Sequence, residues 1–136
     1  MMNENRKRGF TLVELMVVIV IVALLAAIAV PLYTNYVKDA RRSEGAGALA
    51  AVATAQQTYY QRNGAYANAL ANLNVDLTDV LANWTVANPS LITGPPPGFS
   101  VVATGKTGTP FAGLTVTMTY NLGGAKTLVD DTGKTM

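Results

Sequence analysis

The sequence has no cysteine and no histidine, and it carries only ten basic and eight acidic side chains in 136 residues. Without cysteine there is no disulfide to report a compartment, no thiolate metal site and no cysteine nucleophile. Without histidine, most hydrolytic and metal-dependent mechanisms lose their usual base or ligand. No paired nucleophile and base remain, so an enzyme is not expected, nor is a cofactor. The formal charge of +2 is equally uninformative, because Arg6, Lys7 and Arg8 all precede residue 10. Loss of residues 1–9 would remove those three and Glu4, leaving seven basic against seven acidic side chains. From Asn63 onward three lysines face four aspartates. There is no general electrostatic case for a nucleic-acid partner, and such a role would need local clustering of Lys106, Lys126 and Lys134.

What the chain has instead is one long apolar run. Every residue from Leu15 to Val30 is apolar, and no charge occurs between Glu14 and Lys38. At about 1.5 Å per residue, Phe10 to Val30 makes a helix of roughly 31 Å, matching the ~30 Å hydrocarbon core of a bilayer. Insertion of the larger apolar side chains contributes roughly −4 to −7 kcal/mol, against at most about 2.5 to 3.5 kcal/mol for the single acid Glu14. The basic cluster before the run predicts that this end stays in the cytoplasm.

Beyond Pro31 the pattern becomes amphipathic. Leu49, Val52, Gln56, Tyr59 and Tyr60 recur at helical spacing, so the helix is expected to continue to about residue 62, with a kink but not necessarily a break at Pro31, until Asn63 and Gly64 stop it. The stretch from Tyr66 to Leu81 reads as a connection with one or two helical turns, held down by Leu70, Leu73, Leu77 and Leu81. Strand-like runs follow at Trp84 to Ala87, Phe99 to Thr104, Leu114 to Tyr120 and Thr127 to Val129. Leu114, Val116, Met118 and Tyr120 alternate with threonines, the period of a half-buried strand. Gly123 and Gly124 mark a hairpin turn. The expected fold is α+β: a long N-terminal helix over about 10–62 whose C-terminal half packs on an antiparallel sheet of about four strands. The expected divisions are a leader at 1–9, a hydrophobic helix at 10–31 and a head at 32–136. The head would comprise an amphipathic helix at 32–62, a connecting loop at 63–82 and a sheet at 83–136.

The most specific pattern is Lys7, Arg8, Gly9, Phe10, Thr11, Leu12, Val13 and Glu14 running directly into the apolar segment. A secretory signal also begins basic and turns apolar, and Ala27, Ile28 and Ala29 offer a small-residue cleavage pattern. Cleavage there would leave Glu14 unexplained, and a plain membrane anchor has no evident use for it. These residues resemble the prepilin signature of type IV pilins and pseudopilins, closely over residues 6–31 and more loosely over 32–66. The resemblance implies cleavage after Gly9 by the prepilin peptidase, with Phe10 the new N-terminus, N-methylated in this family. It makes Glu14 the assembly acid of the helix and Pro31 the family's helix proline. It further implies a homo-oligomeric helical filament serving adhesion, twitching motility or DNA uptake. The precursor would sit in the bacterial inner membrane and then move into an extracellular fibre, with an inner-membrane platform and ATPases as partners. A type II secretion pseudopilin or a minor pilin is the alternative. Many pilins close a C-terminal loop with a disulfide, which this chain cannot form.

Weaker motifs have plainer readings. Gly105, Lys106, Thr107 and Gly133, Lys134, Thr135 echo a phosphate loop, but Ser100 and Leu128 stand where the earlier glycine is required. Asp130 and Asp131 are the candidate pair for a calcium ion, weighed against a solvated turn before Thr132 and Gly133. Asn83, Trp84 and Thr85 fit a glycosylation sequon, against which Trp84 reads as a core strand residue.

Overall fold

A computed structural model describes residues 9–124 and 126–136. The leader cluster Arg6, Lys7 and Arg8 lies outside the described residues. The chain divides into two units, one ending at Val37 and one spanning Lys38–Met136. Helix α1, Leu12–Asn63, runs without interruption through Pro31. Proline contributes no amide donor, so one i to i−4 bond is missing there; Thr34 Oγ1 donates to the Pro31 carbonyl at 2.9 Å. The helix ends where expected. Gly64 adopts φ +70° and its amide donates to Tyr60 O at 2.8 Å, a left-handed closure that a side chain would strain.

In the second unit, α1 covers an antiparallel sheet of five strands: β1 (Trp84–Val86), β2 (Ser90–Ile92), β3 (Gly98–Gly105), β4 (Thr115–Asn121) and β5 (Lys126–Asp130). The order is β1-β3-β4-β5, and β2 shares with β1 the edge of β3 that β4 leaves free. The sequence shows four of these strands. The fifth, β2, is three residues long and follows Pro89, which has no amide to continue the β1 ladder. Val101 pairs with Met118, and Ala103 with Val116, a register that turns all four side chains inward.

The core is built from Trp84, Phe99, Val101, Val116 and Met118 against Ala48, Leu49, Val52 and Ala53 of α1. Small residues on the helix let the sheet approach. A Cβ at Gly45 would lie 3.0 Å from the Trp84 ring, so glycine there gives the indole its seat. Gln56, fully buried on the same face, is satisfied twice: its amide donates to Ala67 O at 2.7 Å, and its carbonyl accepts from Ala67 N at 2.9 Å. That pair fastens the start of the 64–83 connection to the helix. Within the connection, Leu73 and Leu77 are buried as expected, whereas Leu81 is 41% exposed. Leu81 lies in the one-turn 3-10 helix Val80–Ala82, whose tight turn aims successive side chains in different directions and leaves this one out.

Candidate functional site

In the first unit the site is the helix surface itself. From Gly9 to Tyr36 every residue is exposed, including Phe10 at 94% and a continuous array of Leu, Val, Ile and Met side chains. The segment is long and apolar enough to cross a membrane, judged by length and composition. An apolar surface of this extent on all sides requires a lipid or protein cover.

Glu14 is the exception in that surface, and it is not bare. Its Oε2 accepts from Thr11 N and from Thr11 Oγ1, each at 2.8 Å, while Glu14 N donates back to Thr11 Oγ1 at 3.2 Å. This is a capping box, in which the residue before the helix and the acid three positions on satisfy each other's backbone donors. The helix N-terminus also carries partial positive charge that favours a carboxylate. The Thr-x-x-Glu spacing was visible in the sequence, and it gives Glu14 a local use that even a plain anchor would have. Pro31 sits inside α1, and Tyr33 and Tyr36 beyond it are 69% and 75% exposed.

In the second unit the most tightly organised polar group is one that sequence reasoning missed. Arg42 is buried against the sheet, its side chain 8% exposed. Its Nε and Nη2 meet Asp131 Oδ1 and Oδ2 at 2.7 and 2.9 Å, and Nη1 meets Asp39 at 2.6 Å. Asp130 Oδ2 lies 3.7 Å from Nε. The hydrogen bond from Arg42 holds the Asp131 carboxyl below its usual range. Asp130 is lowered chiefly by the Thr132 hydroxyl, with the Lys134 and Thr132 amides and the Arg42 charge adding to it. Asp130 and Asp131, the candidate calcium pair, therefore face a guanidinium; Asp130 is buried, while the turn from Asp131 through Thr132 and Gly133 is exposed, as the plainer reading of a solvated turn expects. Charge-assisted bidentate pairing of this kind fixes geometry as well as charge, so Arg42 anchors the end of β5 to α1.

The cations are divided between the two ends of the sheet. Lys126 pairs with Tyr120 near Gly98, whereas Lys106 follows Gly105 and Lys134 follows the end of β5 beside Val116. The three lysines do not converge. Arg41 reaches the same 106–113 loop, where its Nη1 donates to Pro110 O at 2.6 Å and its guanidinium lies 5.6 Å from the Phe111 ring centre, while the Lys106 ammonium donates to the Leu81 carbonyl. Among the described residues no three potential metal ligands converge.

Two stretches of the chain match known families. Residues 5–30 match a family model described as a prokaryotic N-terminal methylation motif. Residues 31–111 match the model of the type IV minor pilin ComP, DNA uptake sequence receptor. Similar curated proteins include the type IV major pilin PilA of Myxococcus xanthus, 40% identical over 46% of this chain and 29% of its own. The type IV major alpha-pilin of Moraxella bovis is 49% identical over 38% of this chain and 32% of its own. The fimbrial protein EcpC of Eikenella corrodens is 35% identical over 64% of this chain and 58% of its own. The match thus spans about a third of the length of the first two relatives. No solved structure matches. With a pilin model covering more than half of the chain and a methylation motif in front of it, the chain belongs to the type IV pilin family.

Proposed function

We propose that the protein is a structural subunit of a type IV pilus-like filament, released by cleavage after Gly9 and assembled through the helix that begins at Phe10. The observation that carries this reading is a helix apolar on every side, with no residue buried from Gly9 to Tyr36 and one carboxylate in its first turn. Such a surface is served by lipid before assembly and by neighbouring helices after it, and the subunit need perform no chemistry. Processing gives Phe10 a cationic α-amino group. In a packed core an unpaired carboxylate is strongly unfavourable, so the Phe10 amine of one subunit pairs with Glu14 of its neighbour. A slip by one helical turn would part these charges by about 5.4 Å, so the same pair sets axial register. The partners on this reading are further copies of the chain, the prepilin peptidase, and an assembly platform with its ATPases. Electron microscopy of sheared surface fibres, with mass spectrometry of their main protein, tests it: fibres rich in this chain and starting at Phe10 are expected. Fibres lacking the chain throughout would support a secretion pseudopilin or a minor subunit.

A second reading, DNA reception, is favoured by the match over 31–111, within which Arg41 contacts the 106–113 loop that begins at Lys106. A double Arg41→Ala, Lys106→Ala variant would then bind duplex DNA more weakly, with a shallower dependence on salt. Unchanged binding at every salt concentration would count against it.

A further inference from the structure

Away from both features just described, a cleft of about 760 Å³ opens between the last three turns of α1 and the segment 72–76. That volume falls within the range of small-molecule clefts, about 300–1,000 Å³. We propose that this cleft binds a neutral saccharide. Its apolar lining comprises Ala51, Ala55, Leu73 and Val75, which can take the C–H face of a sugar ring, and Tyr59 adds an aromatic side chain.

The rim holds polar groups with hydrogen-bonding capacity to spare. Among the described residues, the Asn72 and Asn74 amides and the Arg62 guanidinium make no side-chain bond to the rest of the chain. Thr54 and Thr58 spend their hydroxyl protons on the carbonyls of Ala50 and Thr54, which leaves their oxygens free to accept. Asn63 donates to Tyr59 O and retains its own carbonyl. Donors and acceptors are therefore mixed, as a ligand rich in hydroxyl groups requires.

Charge selects neither an anion nor a cation. Among the described residues lining the cleft, Arg62 is the only cation and Asp76 the only anion. The partially negative carbonyl end of α1 opposes the attraction of Arg62 for a phosphate or carboxylate. Asp76, which would attract an amine, already accepts from the Thr78 amide and hydroxyl. An extended peptide would look for a free strand edge, whereas these walls are side chains. The inference stands apart from the filament reading, since it concerns residues of the second unit alone.

The test uses the full chain in phosphocholine micelles, which carry no sugar headgroup, with ¹⁵N-resolved side-chain amides as reporters. The probes are lactose, maltotriose and N,N′-diacetylchitobiose, with glucose 6-phosphate as the anionic comparison. At least one neutral sugar is expected to shift Asn72, Asn74 and the Arg62 Nε saturably, with Kd near ~1 mM, and the phosphate ester to bind more weakly. Asn72→Ala with Asn74→Ala, both at exposed positions, should weaken binding about tenfold without moving the melting temperature. Absence of saturable shifts with all three sugars, binding untouched by the double variant, or preference for the phosphate ester would each overturn the proposal.

Discussion

Replacing Arg42 with methionine removes a buried charge while keeping a stem of similar length, and the structure sets the expected cost. The Asp39 side chain is 52% exposed, so its pairing contributes only about 0–1 kcal/mol. Asp131 is 25% exposed and Asp130 only 2% exposed, so their charges lose a close counter-ion without gaining full hydration. Breaking a buried pair costs about 3–5 kcal/mol, and the partial solvent access of Asp131 places this case near the lower end, about 3 kcal/mol. In a fragment covering residues 35–136, that corresponds to a fall in Tm of roughly 12–20 °C. Adding Asp131→Asn to the methionine variant should recover part of the loss, because one stranded acid is gone. Both carboxyls are lowered in the fold, so their contribution is present above the ordinary carboxylate value near ~3.9 and is lost as pH falls through the lower folded values. The methionine variant should therefore show a shallower acid limb than the parent, since the hydrogen bond that lowers Asp131 is missing. Urea and thermal melts from pH 7 down to about 2 measure both effects. A methionine variant within about 0.5 kcal/mol of the parent would show that the cluster behaves as a surface ion pair and refute the anchoring role.

Three further outcomes are expected. The fragment 35–136 should be soluble and melt cooperatively, and Val116→Asp should destabilise it by several kcal/mol, because that side chain is fully buried beneath α1; equal melts would refute the core assignment. Gln56→Leu should cost about 2–3 kcal/mol by stranding the buried amide and carbonyl of Ala67, and hydrogen exchange should report earlier opening of residues 64–70; unchanged protection would contradict the fastening role. Gly9→Val should leave uncut precursor in the membrane, since a side chain obstructs approach to an extended backbone; mature protein on an immunoblot of that variant would remove Gly9 from the processing site.

Much of the fold is legible in the sequence because its periods are clean. The alternation from Leu114 to Tyr120 sets the register of β4, and Gly64 stops α1 where a left-handed residue is needed. What escapes is contact between residues distant in the chain. Arg42 stands in a run of mixed charge from Lys38 to Glu44 that reads as a solvated face, and its partner Asp131 lies 89 positions later. Nothing local distinguishes it from Arg41, which is half-buried beside Phe111 and bonds the Pro110 carbonyl rather than an acid. Gln56 fits the helical spacing, yet its two bonds to Ala67 depend on how the chain returns after Gly64. Strand β2 has no buried residue, so unlike the equally short β1 it shows no inward-facing alternation, and Leu81 carries the composition of an anchor while its 3-10 turn points it outward. The capping box at Thr11 and Glu14 is the one local device that spacing alone could have revealed.

That box also decides how the central claim is best tested. Glu14→Val would remove both the charge and the cap, and loss of filaments could follow from either. Glu14→Gln keeps an oxygen that can accept from Thr11 and so retains the cap, while it abolishes the charge that would pair with the Phe10 amine. The most direct measurement is electron microscopy of cells expressing Glu14→Gln as their only pilin, with immunoblots for processing and membrane content. The account predicts normal cleavage and insertion with few or no filaments. Abundant filaments with the helical rise of the parent would contradict it.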